Sequence, residues 1–387
     1  MTAARRLSRI HSIDDFRAAA RRALPRMVFD YIDGGAGTES TLRENRAALE
    51  RVRLVPTAPV DVSRRSQEIE LFGRRWSMPV IVAPLGLASA FWPKGELALA
   101  RAAGRHGIPF VLSNNASVTL EEAATAGDGR KWFQLYVPPS REGTRRWVDS
   151  VREAGFDALQ ITVDTAVPGL RLRDRRRGFS MPFRWTPRRF LDVALHPPYA
   201  MRMGRQGIPR PHLMYAIPWA EQEAADPTAM MRNRLTPALD WDLLRWLRDQ
   251  WKGPLIVKGI TDPRQAKNAL AAGMDAIVIS NHGGRQMDGA VSTIDVLPDF
   301  ATEIGGRMPI LIDSGFRTGT DILKALALGA TAVQVGRAAA YALAAAGEDG
   351  VHHALALLRA EIDIGMALCG VTTIGALNRD FIRRAIL

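Results

Sequence analysis

The chain has 387 residues, 47% of them apolar, and a formal net charge of +12, enough for one large domain or two ordinary ones and for a sizeable core. Its single cysteine, Cys369, excludes an internal disulfide and a cysteine-built zinc or iron–sulfur centre, and no metal site is expected. No apolar run reaches the roughly 18 residues a membrane-crossing helix needs and the N-terminal segment has no apolar signal core, so the expectation is a cytoplasmic protein whose positive charge seeks an anionic partner.

In chain order, Ser12 with Asp15 three residues on is a helix N-cap pattern, followed by apolar residues at helical spacing. Pro25 opens a second short helix running to Tyr31 and stopped by Gly34-Gly35. Residues 67–79 read as two short strands joined by a turn at Gly73. From there short apolar runs alternate with helical segments. The runs fall at 80–84, 110–113, 132–137, 158–164, 255–259, 276–280, 310–313 and 332–336. Such runs mark parallel strands buried on both faces, and eight βα units predict a (β/α)8 TIM barrel within the α/β class, with an open doubly wound sheet as the competing architecture.

The expected organisation is a single domain over 1–387: an N-terminal helical segment and hairpin (1–79), the barrel (80–345) and C-terminal helices (346–387). One connection is abnormally long. An insertion at 171–236 follows the fourth strand, and a loop of that length is usually functional or disordered. Between Arg171 and Arg234 it carries 13 Arg and 5 acids, so much of the positive charge is one local patch. Its aromatic and aliphatic residues include Phe179, Phe183, Trp185, Phe190, Leu191, Tyr199, Met201, Met203, Tyr215, Ile217 and Trp219. That combination suits an anionic membrane surface, with a solvated active-site lid as the alternative.

Barrel enzymes carry their chemistry at the C-terminal ends of the strands. All eight runs end in polar or turn residues: Leu85 and Gly86, Ser113, Gln134 and Tyr136, Thr162 and Asp164, Lys258, the stretch 280–286, Asp313 to Arg317, and Gly336-Arg337. The sixth is the richest. There His282 titrates near neutrality and can move a proton, two glycines let backbone approach a ligand, and Arg285 offers a planar fork for a carboxylate. Asp164 stands where it could orient His282 or simply cap a helix. The Gly- and Arg-rich seventh and eighth ends suit a phosphate held on backbone N–H groups at a helix start.

The stretch Ser-Asn-His-Gly-Gly-Arg-Gln at 280–286, with LPRMVFDYIDGGA at 24–36, WFQLYV at 132–137, TVDT at 162–165, VKGI at 257–260 and IDSGFRTG at 312–319, resembles the FMN-dependent L-2-hydroxy acid oxidase and dehydrogenase family. The likeness runs through nearly the whole chain and looks closest to the mandelate dehydrogenase and bacterial membrane-associated lactate dehydrogenase branches. It implies bound FMN, oxidation of a small L-2-hydroxy acid to the 2-oxo acid, and a homo-oligomer, commonly a tetramer. It also implies electron delivery to a quinone or other respiratory acceptor at the inner face of the membrane; a soluble oxidase using O2 is the alternative.

By the same resemblance His282 is the base and Asp164 its orienting carboxylate. Arg171 and Arg285 bind the substrate carboxylate, and Tyr31 and Tyr136 hydrogen-bond the substrate. Lys258 lies by the flavin N1–O2 edge. Leu85 and Gly86 face N5 through their backbone, and Ser113, Gln134 and Thr162 contact the ring system. Asp313, Gly315, Arg317, Gly336 and Arg337 hold ribityl and phosphate. The chain departs from the family pattern at Leu85, where many members have Thr, at Gly86, where oxidases more often have Ala, and at Asn115, where glycolate oxidase has Trp. The last two enlarge the substrate pocket. A basic nucleic-acid-binding protein would explain the charge but not its confinement beside a redox motif.

Overall fold

The computed structural model describes residues 7–178, 185–207 and 236–384. Ser12 caps the first helix, Ile13–Ala23, accepting from the Asp15 N–H. Pro25 precedes the second, Arg26–Asp33, which runs two residues past Tyr31. A third helix, Ser40–Arg51, was not legible in the apolar pattern. Its start is built by a distant residue: the Asp288 carboxylate accepts from the N–H groups of Thr38 and Thr41 and the hydroxyls of Thr38 and Ser40.

The strands are β1 (Val52–Leu54), β2 (Ile69–Leu71), β3 (Arg74–Trp76), β4 (Val80–Val82), β5 (Phe110–Ser113), β6 (Lys131–Leu135), β7 (Ala158–Thr162), β8 (Leu255–Ile260), β9 (Ala276–Ile279), β10 (Ile310–Ile312), β11 (Ala332–Val335) and β12 (Ile382–Arg384). Strands β4 to β11 close into one barrel, β11 pairing with β4 to complete the ring, with every pairing parallel. The expected (β/α)8 barrel is therefore the fold, and the open sheet is excluded. Hairpin β2–β3 turns on Phe72 and Gly73, both at positive φ, the geometry that matches strand twist in a two-residue loop.

The barrel interior explains where the site lies. Near the strand starts, inward positions are apolar: Ile81, Val111, Trp132, Ala158, Ile256, Ala276, Leu311 and Ala332 form one cluster with Leu71 and Trp76 of the hairpin. Trp76 meets Trp132 edge-on at 6.4 Å, so the hairpin plugs the N-terminal end. Two residues further along six of the eight strands the period-2 pattern puts polar groups inside: Ser113, Gln134, Gln160, Lys258, Asp313 and Gln334, all buried. Apolar side chains thus fill the lower barrel, and polar ones line the end where the βα loops leave.

The last barrel strand leads into the helix Arg337–Leu368, broken at Ala346 and Gly347. It packs on Ile13–Ala23 and on the helix Gly95–Arg105. The expectation of helices throughout 346–387 holds only to Leu368. Beyond it come two short 3-10 turns and β12, which pairs antiparallel with β1 and supplies that edge with the partner it would otherwise lack.

Within the insertion the described helices are Leu172–Arg177, Pro187–Ala194 and Pro197–Gln206. Pro187–Ala194 buries none of its residues, and Trp185, Phe190, Leu191, Leu195 and Met201 are exposed. Tyr199 instead turns inward and donates to the Ala90 carbonyl at 3.1 Å. Phe179, Phe183, Tyr215, Ile217 and Trp219 lie outside the described residues.

Candidate active site

Three successive residues after β9, His282, Gly283 and Gly284, have φ of 58°, 66° and 73°. Two are glycine for a steric reason. A Cβ on Gly284 would stand 2.7 Å from the Leu42 nitrogen, and one on Gly283 2.7 Å from Arg337 Nη1. His282 carries its side chain in the left-handed region at a cost of about 1–2 kcal/mol. Side-chain acceptors pin the strained turn: the N–H groups of His282, Gly283 and Gly284 donate to Ser280 Oγ, Ser314 Oγ and Asn281 Oδ1. Asn281 is itself fixed by a reciprocal amide pair with the buried Asn45.

So held, His282 Nδ1 faces both oxygens of Asp164, at 3.1 and 3.2 Å. Asp164 can come this close because Gly259, at φ 105°, has no side chain; a Cβ there would lie 2.7 Å from the Asp164 Cβ. The contact leaves Nε2 as the ring nitrogen available to a substrate.

Arg285 and Arg171 approach the Tyr31 ring at 4.9 and 5.6 Å. Burial, reinforced by the neighbouring Arg171, pulls Arg285 below the ordinary guanidinium range. Arg171 also lies 3.4 Å from Asp174. Two guanidiniums beside one aromatic ring suit an anion, and a carboxylate matches their planar forks. Tyr136 beside them is held well above its usual value by burial, then by Asp164 and Tyr31, so it remains a hydroxyl donor.

Deeper in, Lys258 is ion-paired with Asp313 and donates to Ser280 Oγ at 2.8 Å. Gln134 Oε1 accepts from Ser113 Oγ at 2.9 Å. Arg317 lies 5.6 Å from the Tyr341 ring. Arg337 differs from the simple picture of a free phosphate ligand. Its guanidinium donates to the carbonyls of Ile32, Gly283 and Gly34, and burial brings its pKa down to about 10. Its backbone, at the first turn of a long helix after Gly336, offers the N–H groups that suit an anion.

Of the catalytic, substrate and cofactor residues singled out in the sequence, all but Asp164 line one cavity of about 350 Å³: Tyr31, Leu85, Gly86, Ser113, Gln134, Tyr136, Thr162, Arg171, Lys258, His282, Arg285, Asp313, Gly315, Arg317, Gly336 and Arg337. Asp164 stands behind His282. Asn114, Asn115 and Phe91 also line it. Sequence reasoning gave no role to Gly259 or to Gln286. Gln286 donates to the carbonyls of Asp164 and Val167 and accepts from the Gly169 N–H, so it ties the Asp164 loop to the His282 turn. The signal for Gln286 was its place at the end of the 280–286 motif.

The cavity suits a flavin mononucleotide. Buried Gln134 Nε2 and Thr162 Oγ1 have no protein partner among the described residues, and leaving such groups unpaired costs about 1–3 kcal/mol each. Both face the cavity as the donors and acceptors that the polar edge of an isoalloxazine requires. Arg317 and the helix start at Arg337 line the same cavity and could hold a phosphate.

The family described as FMN-dependent dehydrogenase matches residues 20–384. Over 374 residues the chain is 42% identical to (S)-mandelate dehydrogenase of Pseudomonas putida, covering 97% of this chain and 94% of that one. Over 380 residues it is 41% identical to L-lactate dehydrogenase of Pseudomonas syringae pv. syringae (strain B728a), covering 97% and 99%. A crystal structure of (S)-mandelate dehydrogenase, described as a monotopic membrane protein, superposes with a TM-score of 0.92 at 42% identity, covering 97% of this chain and 99% of that one.

Proposed function

The chain belongs to the FMN-dependent dehydrogenase family, and from that premise we propose that this FMN enzyme, an oxidoreductase of L-2-hydroxy acids, acts on a mandelate-like acid or lactate and delivers the electrons to a quinone or other respiratory acceptor. The observation that carries the reading is one cavity lined by a carboxylate-oriented histidine and two guanidiniums.

Arg171 and Arg285 hold the substrate carboxylate, while Tyr31 and Tyr136 hydrogen-bond the substrate. His282 takes a proton at Nε2, and Asp164 stabilises the imidazolium that results. The chemistry FMN supplies when bound is two-electron acceptance. Lys258, which lines the cavity, would supply positive charge to the flavin's polar edge. Ser113, Gln134 and Thr162 would hold the ring together with the backbone of Leu85 and Gly86, and Asp313, Gly315, Arg317, Gly336 and Arg337 would hold ribityl and phosphate.

The insertion docks the enzyme on the inner face of an anionic membrane. Its support is the arginine excess of 171–236 and the exposed Trp185, Phe190, Leu191, Leu195 and Met201. No helix among the described residues is long and apolar enough to cross a membrane. A homo-oligomer, as in the family, is part of the reading.

The test is anaerobic spectroscopy of the purified holoenzyme. L-mandelate or L-lactate should bleach the flavin bands and the D-forms should not. A colourless protein that takes up no FMN on reconstitution would refute the assignment.

A further inference from the structure

One wall of the cavity is left unexplained by carboxylate binding or proton transfer. At the end of β5, Asn114 and Asn115 both line the cavity. The backbone of Asn115 is fixed, its N–H donating to Ser113 Oγ and its carbonyl accepting from the Leu87 N–H. Its carboxamide has no hydrogen-bond partner among the described residues. Next to it, the Asn114 amide reaches the Tyr136 carbonyl only at 3.5 Å, and Asn114 Oδ1 is buried without a partner.

Gly86 gives this wall its room. A Cβ there would lie 3.1 Å from the Asn115 Cβ and 3.8 Å from the Tyr31 hydroxyl. Phe91 borders the same space, 6.1 Å from the Tyr31 ring. With the carboxylate at Arg171 and Arg285 and the reacting carbon before His282, the substituent on that carbon is left the space between two aromatic rings and a carboxamide. Aromatic walls accept an apolar or aryl segment. A carboxamide with spare donor and acceptor capacity is poorly matched to an apolar tip, because it would be desolvated without compensation.

We infer that Asn115 is a specificity residue selecting 2-hydroxy acids whose side chain is apolar or aromatic next to the reacting carbon and bears a neutral hydrogen-bonding group, such as a hydroxyl, beyond it. The inference rests on the hydroxy acid reading above and narrows its substrate class. An acidic side chain is disfavoured, since among the described residues the wall of Asn114, Asn115 and Phe91 offers it no cation beyond the two arginines already engaged with the carboxylate.

The experiment compares L-mandelate with its 3- and 4-hydroxy derivatives in anaerobic stopped-flow reduction of the holoenzyme, and phenylacetate with 3- and 4-hydroxyphenylacetate as inert ligands titrated by the flavin spectrum. One hydrogen bond predicts a preference of roughly tenfold for a hydroxylated member in kcat/KM and in Kd. In Asn115→Val the ratio should collapse toward one, and in Asn115→Ser, which keeps a donor and acceptor, part of it should survive. Retained flavin absorbance shows that each variant is folded and loaded. Equal use of hydroxylated and plain substrates by the parent enzyme, or the same ratio in Asn115→Val, overturns the inference while leaving the hydroxy acid reading intact. Flavin that none of these acids reduces overturns both.

Discussion

Arg285 holds Tyr31 twice: its guanidinium lies 4.9 Å from the ring centre, and the same group donates to the Tyr31 backbone carbonyl at 2.5 Å and to Gly34 O at 3.2 Å. It is both half of the proposed anion clamp and the latch on the C-terminal end of the helix that presents the tyrosine. Arg285→Met should therefore raise KM and slow flavin reduction together. The loss of a charge-assisted bond of about 1.5–3 kcal/mol corresponds to roughly tenfold to a hundredfold in kcat/KM. Arg285→Lys should recover only part, lacking the fork. Steady-state kinetics on both variants checks this, and full activity in Arg285→Met would place the substrate acid elsewhere.

His282→Gln tests the base. Because the His282 turn is pinned by backbone donors to Ser280, Ser314 and Asn281, the variant should fold and keep its FMN. Reduction by substrate should slow by about 10²–10⁴-fold, read by anaerobic stopped flow. Near-normal reduction would remove His282 from the mechanism.

The loop that carries Arg171 is fastened by its neighbour. Arg173 donates to Asp33 at 3.0 Å and Glu39 at 2.5 Å. Burial opposes the charge on Asp33, but hydrogen bonds from Arg17, Tyr341 and Arg173 hold its carboxyl well below the usual range. Arg173→Met should lower stability by about 1 kcal/mol, discounted for its partial exposure. It should raise KM several-fold while leaving bound FMN in place. Thermal melts and a KM-against-kcat comparison check it; an unchanged KM would show that Arg171 is positioned without this clamp.

His106, remote from the active site, gives the protein an acid sensitivity. Burial, then the His352 ring 4.6 Å away and Arg359, bring its pKa down to about 4. The folded value lies below the unfolded value of about 6.5, so between them the unfolded chain binds the extra proton. This contribution to stability is present above pH ~6.5 and is lost as pH falls toward 4. Melting temperatures across that window should fall with acid in the parent and less steeply in His106→Gln. Parallel profiles would rule the residue out.

Membrane docking predicts co-sedimentation with vesicles rich in anionic lipid at low salt, declining as salt screens the arginines. Replacing residues 178–232 by a short Gly/Ser linker should abolish it. An intact enzyme that stays in the supernatant, or a shortened one that sediments equally well, would refute docking by this segment.

Much of this was legible because two periods are written into the chain. The eight apolar runs gave all eight barrel strands within a few residues of their ends, since a strand buried on both faces leaves little ambiguity. The site residues followed from asking what ends each run. What escaped depends on contacts remote in sequence. The helix Ser40–Arg51 is started by Asp288, and β1 exists because β12 reaches it. Gly259 reads as an ordinary strand glycine until Asp164 is seen to need its missing side chain. Arg337 could be assigned to the phosphate end, but not its guanidinium to three carbonyls, which belong to the end of the helix Arg26–Asp33 and to the His282 turn.

The packing of Ile13–Ala23 on Arg337–Leu368 also sets a schedule for synthesis. The first helix buries Ile13, Phe16 and Ala20 against a partner that leaves the ribosome last among the major elements. At about 5–20 residues per second the nascent chain carries that apolar stripe uncovered for roughly 15 to 60 s. Over that interval the stripe is open to chaperones and to other nascent chains, and translation speed bears on the yield of folded enzyme.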